Sequence, residues 1–272
     1  MQNIFRLTNK NITLMTPLIL FSLFTTIYMS IVVQGKILGV IFGVVLLGLM
    51  TAMFIAGWFY STKLIIENSE STSEPLSLLK SFPEGVGTYF LSSVGSVVIL
   101  LCFFIGMIYL SYLVGIHSIG NVDIDLQALK NSMATPETLK TYFLSLNMEQ
   151  IIQLTKWQFL ILGFVSIAYY LIMFYFPVLF YKTKNPIKAF FVAVKDMFGR
   201  KFFKTLGVYL LIWMLNIFVT LLTTVLAINV ITNVLGTLLN FYFTTLVVVG
   251  VFYYYYNDFV LSHIGQNVDI TL

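Results

Sequence analysis

The long apolar runs of this sequence carry no Asp, Glu, Lys, Arg or His in their central parts, so asparagine and threonine supply what chemistry those runs have. Asn216, Thr220 and Thr224 recur every four residues, with Thr223 alongside, and Asn233, Thr237, Asn240 and Thr244 recur at intervals of four, three and four. Both spacings put the polar groups on one helical face. If the chain turns near residue 230, positions whose numbers sum to about 460 share a height. Asn216 then lies level with Thr244, Thr220 with Asn240, and Thr223 with Thr237, and the two stripes are expected to face one another. Bonds of this kind between membrane helices contribute about 0.6 kcal/mol each, so their ordinary role is to hold a hairpin together. The sharper reading is a polar, uncharged path or a headgroup groove.

A second group is basic. Lys182, Lys184, Lys188, Lys195, Arg200, Lys201 and Lys204 stand within one loop against a single acid, Asp196. In the same loop Asn185 can cap and Pro186 can open a helix. Its apolar residues recur at Ile187, Phe190, Phe191, Val194 and Phe198. The pattern predicts an amphipathic helix on a membrane face, with its apolar side in lipid and its ammonium groups near anionic headgroups. Each basic group near such a surface contributes about 1 kcal/mol. The loop is a candidate patch for an anionic lipid or an acidic partner; plain topology and interfacial anchoring are the simpler account of it.

Signatures of catalysis do not accompany these groups. His117 and His263 have no partner at metal-ligand spacing, and Asp123 and Asp125 stand away from any span centre. The sequence contains no G-x-S-x-G, Walker loop, dinucleotide fingerprint or H-E-x-x-H. A lone cysteine, Cys102, excludes an intrachain disulfide and a thiolate cluster. Ion-coupled transport ordinarily needs an ionisable group at membrane depth, and none is expected here. The chain is therefore expected to be no enzyme, to hold no cofactor and to bind no nucleic acid.

The elements that must position these groups follow from composition. Of 272 residues, 59% are hydrophobic and 10% charged, against about 25% charged in a soluble domain. A bilayer core of about 30 Å needs roughly 20 apolar residues in a helix. Six stretches qualify: 12–33, 37–61, 88–116, 157–181, 205–228 and 231–256. The runs are continuous and lack the alternation of a membrane barrel. The fold class expected is an all-α, polytopic transmembrane bundle of six spans with cytoplasmic interfacial helices, a single membrane domain over residues 1–272. Arg6 and Lys10 ahead of the first run resemble a signal peptide, but its length and the lack of a small-residue cleavage site read as a retained span. With the N-terminus inside, eleven of the fifteen Lys and Arg fall on the inner side, so a cell-membrane protein with both termini cytoplasmic is expected. The Tyr253–Tyr256 run then meets the headgroups as an aromatic belt.

Three connections are long enough to carry structure. After Pro75, the residues Leu76, Leu79 and Phe82 suit a short interfacial helix. In the outer loop, 117–156, Thr135-Pro136 and Asn147 with Gln150 are helix starts, predicting a small two-helix cap. Small residues at Gly39, Gly43, Gly48, Ala52 and Ala56, and at Ser92 and Ser96, allow close helix approach. Span, basic-side helix, span occurs twice, at Pro75 and at Pro186, as in a parallel repeat.

Several segments together resemble a known group. Gly57-Trp58 closes a span, the next linker ends Glu74-Pro75-Leu76, and Phe82 and Gly85 lead into another span. Asn185-Pro186-Ile187-Lys188-Ala189-Phe190 and the tail His263-Ile264-Gly265-Gln266 fit the same pattern. The chain resembles an uncharacterised family of six-span prokaryotic membrane proteins, a domain of unknown function. That family is similar in layout to the membrane domain attached to some glycerophosphodiester phosphodiesterases. The resemblance implies a membrane domain without assigned catalysis. The function expected is a scaffold or accessory subunit of a membrane assembly. The alternative is a lipid-handling protein or a carrier for an uncharged or amphiphilic substrate. Partners expected are anionic headgroups on the cytoplasmic side and a membrane protein or a second copy of the chain.

Overall fold

The structure, a computed structural model, describes residues 2–32, 37–68, 77–121, 126–132 and 135–261. All regular elements among the described residues are helical, and six of the helices are long and apolar enough to cross a membrane. The chain is an all-α, multi-pass membrane protein. Helix α1 covers Gln2–Lys10 and a single 3-10 turn, Ile12–Leu14, leads into α2, Met15–Val32. They are followed by α3 (Ile37–Glu67), α4 (Leu78–Ser118), α5 (Leu126–Ser132), α6 (Pro136–Ser145) and α7 (Met148–Ile172). Then come α8 (Tyr175–Tyr181), α9 (Pro186–Met197), α10 (Phe202–Leu226) and α11 (Val230–Tyr255), the last prolonged by a π-helical turn, Tyr256–Leu261.

Several helices outrun their apolar stretches. The 31 residues of α3 and 41 of α4 measure about 46 and 61 Å at 1.5 Å per residue, well beyond a hydrocarbon core of about 30 Å. This corrects two expected boundaries. Leu79 and Phe82 do not form a separate helix: they are the first turns of α4, which passes through Pro83 unbroken. A proline so near the N-terminus removes a single intrahelical bond, at a place where few have yet formed. Pro75, Leu76 and Glu74 lie outside the described residues. Of the two connections in the anticipated repeat, the second forms a helix in its own right, α9; the Pro75 start of the first lies outside the described residues.

The described residues form two compact units, Met1–Leu100 with Leu171–Leu272, and Leu101–Tyr170. In the second unit, α5 and α6 pack on one another. Thr135 caps α6 in a reciprocal box with Thr138. Asn147 and Gln150 exchange backbone–side-chain bonds of 2.8 and 3.0 Å, as the spacing predicts. The helix they start, however, is α7, which continues into the span, so α5 rather than a 147 helix is the second member of the cap. Gly120, at φ 86°, ends α4 in the left-handed conformation that glycine tolerates. The Trp157 indole N–H donates to its carbonyl at 3.1 Å. The same ring fills the space where a Cβ on Gly115 would stand, 2.1 Å away.

The first unit holds most of the buried core, and that core is gathered at one end of the spans, the end that carries the basic loop. Its large buried side chains are Trp58, Ile66, Phe174, Tyr175, Phe180, Phe252 and Tyr255, with Met197 from α9. Helices α3 and α4 meet there at two glycines. A Cβ on Gly57 would stand 2.7 Å from the Phe82 ring, and one on Gly85 would stand 2.7 Å from the Ala56 carbonyl. Ala52 and Ala56 are buried as their spacing predicts, whereas a Cβ on Gly39 or Gly48 would meet nothing within 4 Å. Polar bonds tie the same region: Trp58 to the Leu14 carbonyl (2.9 Å), Ser61 to Ser81 (2.9 Å), Tyr89 to the Phe180 carbonyl (3.2 Å) and Tyr175 to Ser96 (2.9 Å). Away from that end the spans are scarcely covered. Only 6% of the most apolar stretch is buried in α2, α4 and α10, against 28% in α3 and α11. Their outward apolar surface is the surface a bilayer or a neighbouring helix must cover.

Candidate functional site

The basic loop folds as its sequence demands and then uses its charges unexpectedly. The Lys188 N–H donates to the Asn185 carboxamide at 3.0 Å, and Pro186 takes the first helical position of α9. The face α9 turns inward is small: Ala189, Ala193 and Met197 are fully buried, four residues apart. Ile187, Phe191 and Phe198 are exposed, together with Phe203 at the start of α10. The apolar stripe read from the sequence is thus split, since Phe190 and Val194 are half-buried. The exposed apolar part lies on the same short stretch as Lys188, Lys195 and Arg200, which are exposed and make no ion pair among the described residues.

The other four basic residues are engaged with the core. Lys182 reaches Asp196 at 2.8 Å, and the Tyr255 hydroxyl donates to the same carboxylate oxygen at 2.6 Å. The Lys182 ammonium also stands 5.2 Å from the centre of the Tyr255 ring. Lys184 stands 5.1 Å from the Tyr89 ring. Lys201 and Lys204 converge on Asp258 at 3.1 and 2.8 Å, and Lys201 also donates to the Asp258 carbonyl. These two ammonium groups lie 5.3 Å from the Phe259 and Tyr254 rings respectively. Cation–ring contacts of this kind contribute about 0.5–1 kcal/mol where solvent is near.

Two carboxylates therefore act as clamps. Asp196 ties α9 to the loop before it and to α11; Asp258 ties the end of α11 to the start of α10. Pattern alone marks Asp196 only as the loop's lone acid and gives Asp258 no role. The available signal was an acid two residues past a tyrosine run, in a chain whose lysines cluster in one loop. The tyrosine run itself is corrected: Tyr254 and Tyr255 are buried, Tyr254 sharing a 3.2 Å hydrogen bond with Thr205, so they belong to the core and not to a belt.

The polar stripe is also placed differently. Asn229 caps α11 in a box with Thr232, as a break there requires. The register of the hairpin is close to the expected one. Thr205 meets Tyr254 at the basic end, and a Cβ on Gly236 would stand 3.6 Å from the Thr223 Cβ at the other. The rotation is not as expected. Val219 and Gly236 are buried, whereas Asn216, Thr220, Asn233, Thr237, Asn240 and Thr244 are exposed and Thr223 half-buried. The Thr223, Thr237 and Thr244 hydroxyls donate to carbonyls three or four residues earlier in their own helices. One residue of helix is about 100° of rotation; the seam passes through Gly236, next to Thr237, and the stripes turn outward. A hydroxyl can be satisfied within its own helix, but an asparagine amide at membrane depth has no such ready solution.

An apolar groove of about 540 Å³ opens in the same unit between α2, α3 and the first turns of α4, lined by Leu20, Phe24, Met53, Leu79 and Phe82 among others. No cluster of three or more potential metal ligands occurs among the described residues. No known family model, curated protein or solved structure matches the chain.

Proposed function

We infer that the chain is a non-enzymatic scaffold or accessory subunit of an assembly in the cell membrane, with its basic end and both termini on the cytoplasmic side. The observation that carries this reading is the outward placement of Asn216 and Asn240 on helices whose other surfaces are apolar. Transfer of an unpaired amide to an apolar medium costs about 2–7 kcal/mol, and helix–helix hydrogen bonds are the usual remedy. The internal packing is concentrated elsewhere, so the spans offer their sides to another protein, a membrane-protein partner or a further copy of this chain. The orientation rests on the positive-inside excess and on the exposed Lys188, Lys195 and Arg200 beside Ile187 and Phe191, a combination suited to anionic headgroups. A photo-activated residue placed at 216 or at 240 in native membranes is expected to cross-link to protein; cross-links to lipid alone would overturn the reading.

The second reading, a lipid-handling protein or a carrier for an amphiphilic substrate, is favoured by the apolar groove between α2, α3 and α4. Its test is movement of a labelled lipid across proteoliposomes containing the purified chain. Rates equal to protein-free vesicles would exclude it.

A further inference from the structure

A second groove, of about 280 Å³, lies between α1, α10 and α11. Its walls are Leu211 and Leu215 from α10, Phe243, Val247 and Gly250 from α11, and Ile4 from α1. Its polarity is graded along its length. Its α11 lining from Phe243 through Leu246 and Val247 to Gly250 is apolar, Tyr253 and Tyr254 follow, and Asn257 and Asp258 stand together at one end. The twelve steps from Phe243 to Tyr255 on α11 rise about 18 Å at 1.5 Å each, enough to accompany one leaflet, half of a core of about 30 Å, and the π-helical turn carries the wall on to Asp258.

At the polar end the charge is unbalanced in one direction. Lys201 and Lys204 both bind Asp258, two ammonium groups on one carboxylate. The Lys204 side chain is 60% exposed, so it can accept a further anion without leaving that carboxylate. Arg200, exposed, precedes them. No side chain caps the N-terminus of α10, which begins at Phe202 directly after Lys201, so its helix dipole adds to the positive potential there. An apolar slot of leaflet length, ending in surplus positive charge, matches one chemistry: an acyl chain joined to an anionic phosphate headgroup.

We propose that the α1–α10–α11 groove is a site for an anionic glycerophospholipid, its phosphate at Lys201 and Lys204 and an acyl chain along Leu215, Val247 and Gly250. This holds whether or not the chain is a scaffold, because it concerns a groove that the outward polar stripe does not form. Lipid in this slot would also join α1 to the α10–α11 hairpin, which it already touches where Tyr242 donates to Asn9 at 2.6 Å.

The test is native mass spectrometry of the full chain from nanodiscs containing equal phosphatidylglycerol and phosphatidylethanolamine. One phosphatidylglycerol per chain is expected to survive activation that strips the bulk lipid. Lys201→Gln and Lys204→Gln should each weaken its retention about five-fold, equivalent to the ~1 kcal/mol a basic group contributes at an anionic surface. Lys204→Arg should restore it. Gly250→Leu blocks the slot without touching the lysines. A Cβ there stands 3.6 Å from Ile4, an ordinary contact, and the remaining atoms occupy the groove. Leu215→Phe fills the same slot from the opposite wall, so that a folding defect in one variant does not leave the question open. Equal retention of the two lipids would overturn the proposal. So would retention unchanged in both filling variants, or displacement of the lipid by inorganic phosphate.

Discussion

Replacing Asp196 with alanine removes the clamp that holds α9 and α11 together. The carboxylate accepts from Lys182 at 2.8 Å and from the Tyr255 hydroxyl at 2.6 Å, with 18% of its side chain exposed. A hydrogen bond to a charged group contributes about 1.5–3 kcal/mol. Removing one member of a fully buried ion pair costs about 3–5 kcal/mol, while exposed pairs contribute about 0–1 kcal/mol. With Lys182 29% exposed, its ammonium can turn to water, but the Tyr255 hydroxyl, on a residue fully buried in the core, has no such outlet. Unfolding free energy should therefore fall by about 2–3 kcal/mol, most of it through Tyr255. Reversible denaturation in mild detergent measures it, read by the fluorescence of Trp58, which is buried beside Phe54 and Phe59. Asp196→Asn, which keeps an acceptor, should lose about half as much, and a cycle with Tyr255→Phe should give a coupling of about 1–2 kcal/mol. A change within about 0.5 kcal/mol for Asp196→Ala, the range of an ordinary surface substitution, would refute the assignment of Asp196 as a clamp.

Gly85→Ala places a methyl group against the Ala56 carbonyl at 2.7 Å; because backbone cannot rotate away, a loss of about 1–3 kcal/mol is expected in the same assay. Gly48→Ala, with nothing within 4 Å, should be neutral or stabilising by up to about 1 kcal/mol through helix propensity. Asn229→Ala deletes the cap of α11 and should cost about 0.5–2 kcal/mol, seen as faster hydrogen exchange over 230–233 with little change at 249–255. Asn216→Leu combined with Asn240→Leu should leave the stability of detergent-purified monomer unchanged or slightly raised, since their side chains turn away from the hairpin seam. The same pair should shift the chain from larger to smaller particles in native lipid; a loss of monomer stability would restore the two residues to the hairpin.

The number of spans, the cap at Asn185, the reciprocal bonds of Asn147 and Gln150, and the turn at Asn229 were all legible, because each depends on local pattern and on backbone groups that must be satisfied nearby. Rotation of α10 against α11 was not. A face rich in Asn and Thr at period four is equally visible whether it turns inward or outward, and a single position of offset separates the two. The seam goes through Gly236, which is buried and faces Thr223 across an ordinary contact distance, and sequence spacing alone weighs a glycine less than an asparagine. The clamps at Asp196 and Asp258 escaped for another reason: they pair with lysines 14 and 54–57 residues away, and long-range partners leave no periodic trace. The tyrosines at 254 and 255 looked interfacial because composition cannot distinguish an aromatic belt from an aromatic core at the same height.

A subunit of a membrane assembly turns its polar stripe towards something outside its own chain. The mass of the particle that contains it, extracted directly into native-lipid nanodiscs and corrected for lipid and belt, tests this most simply. Protein mass above one 31.0 kDa chain, falling towards that value in the Asn216→Leu, Asn240→Leu double variant, is the expected result. A single 31.0 kDa chain in both samples would contradict it.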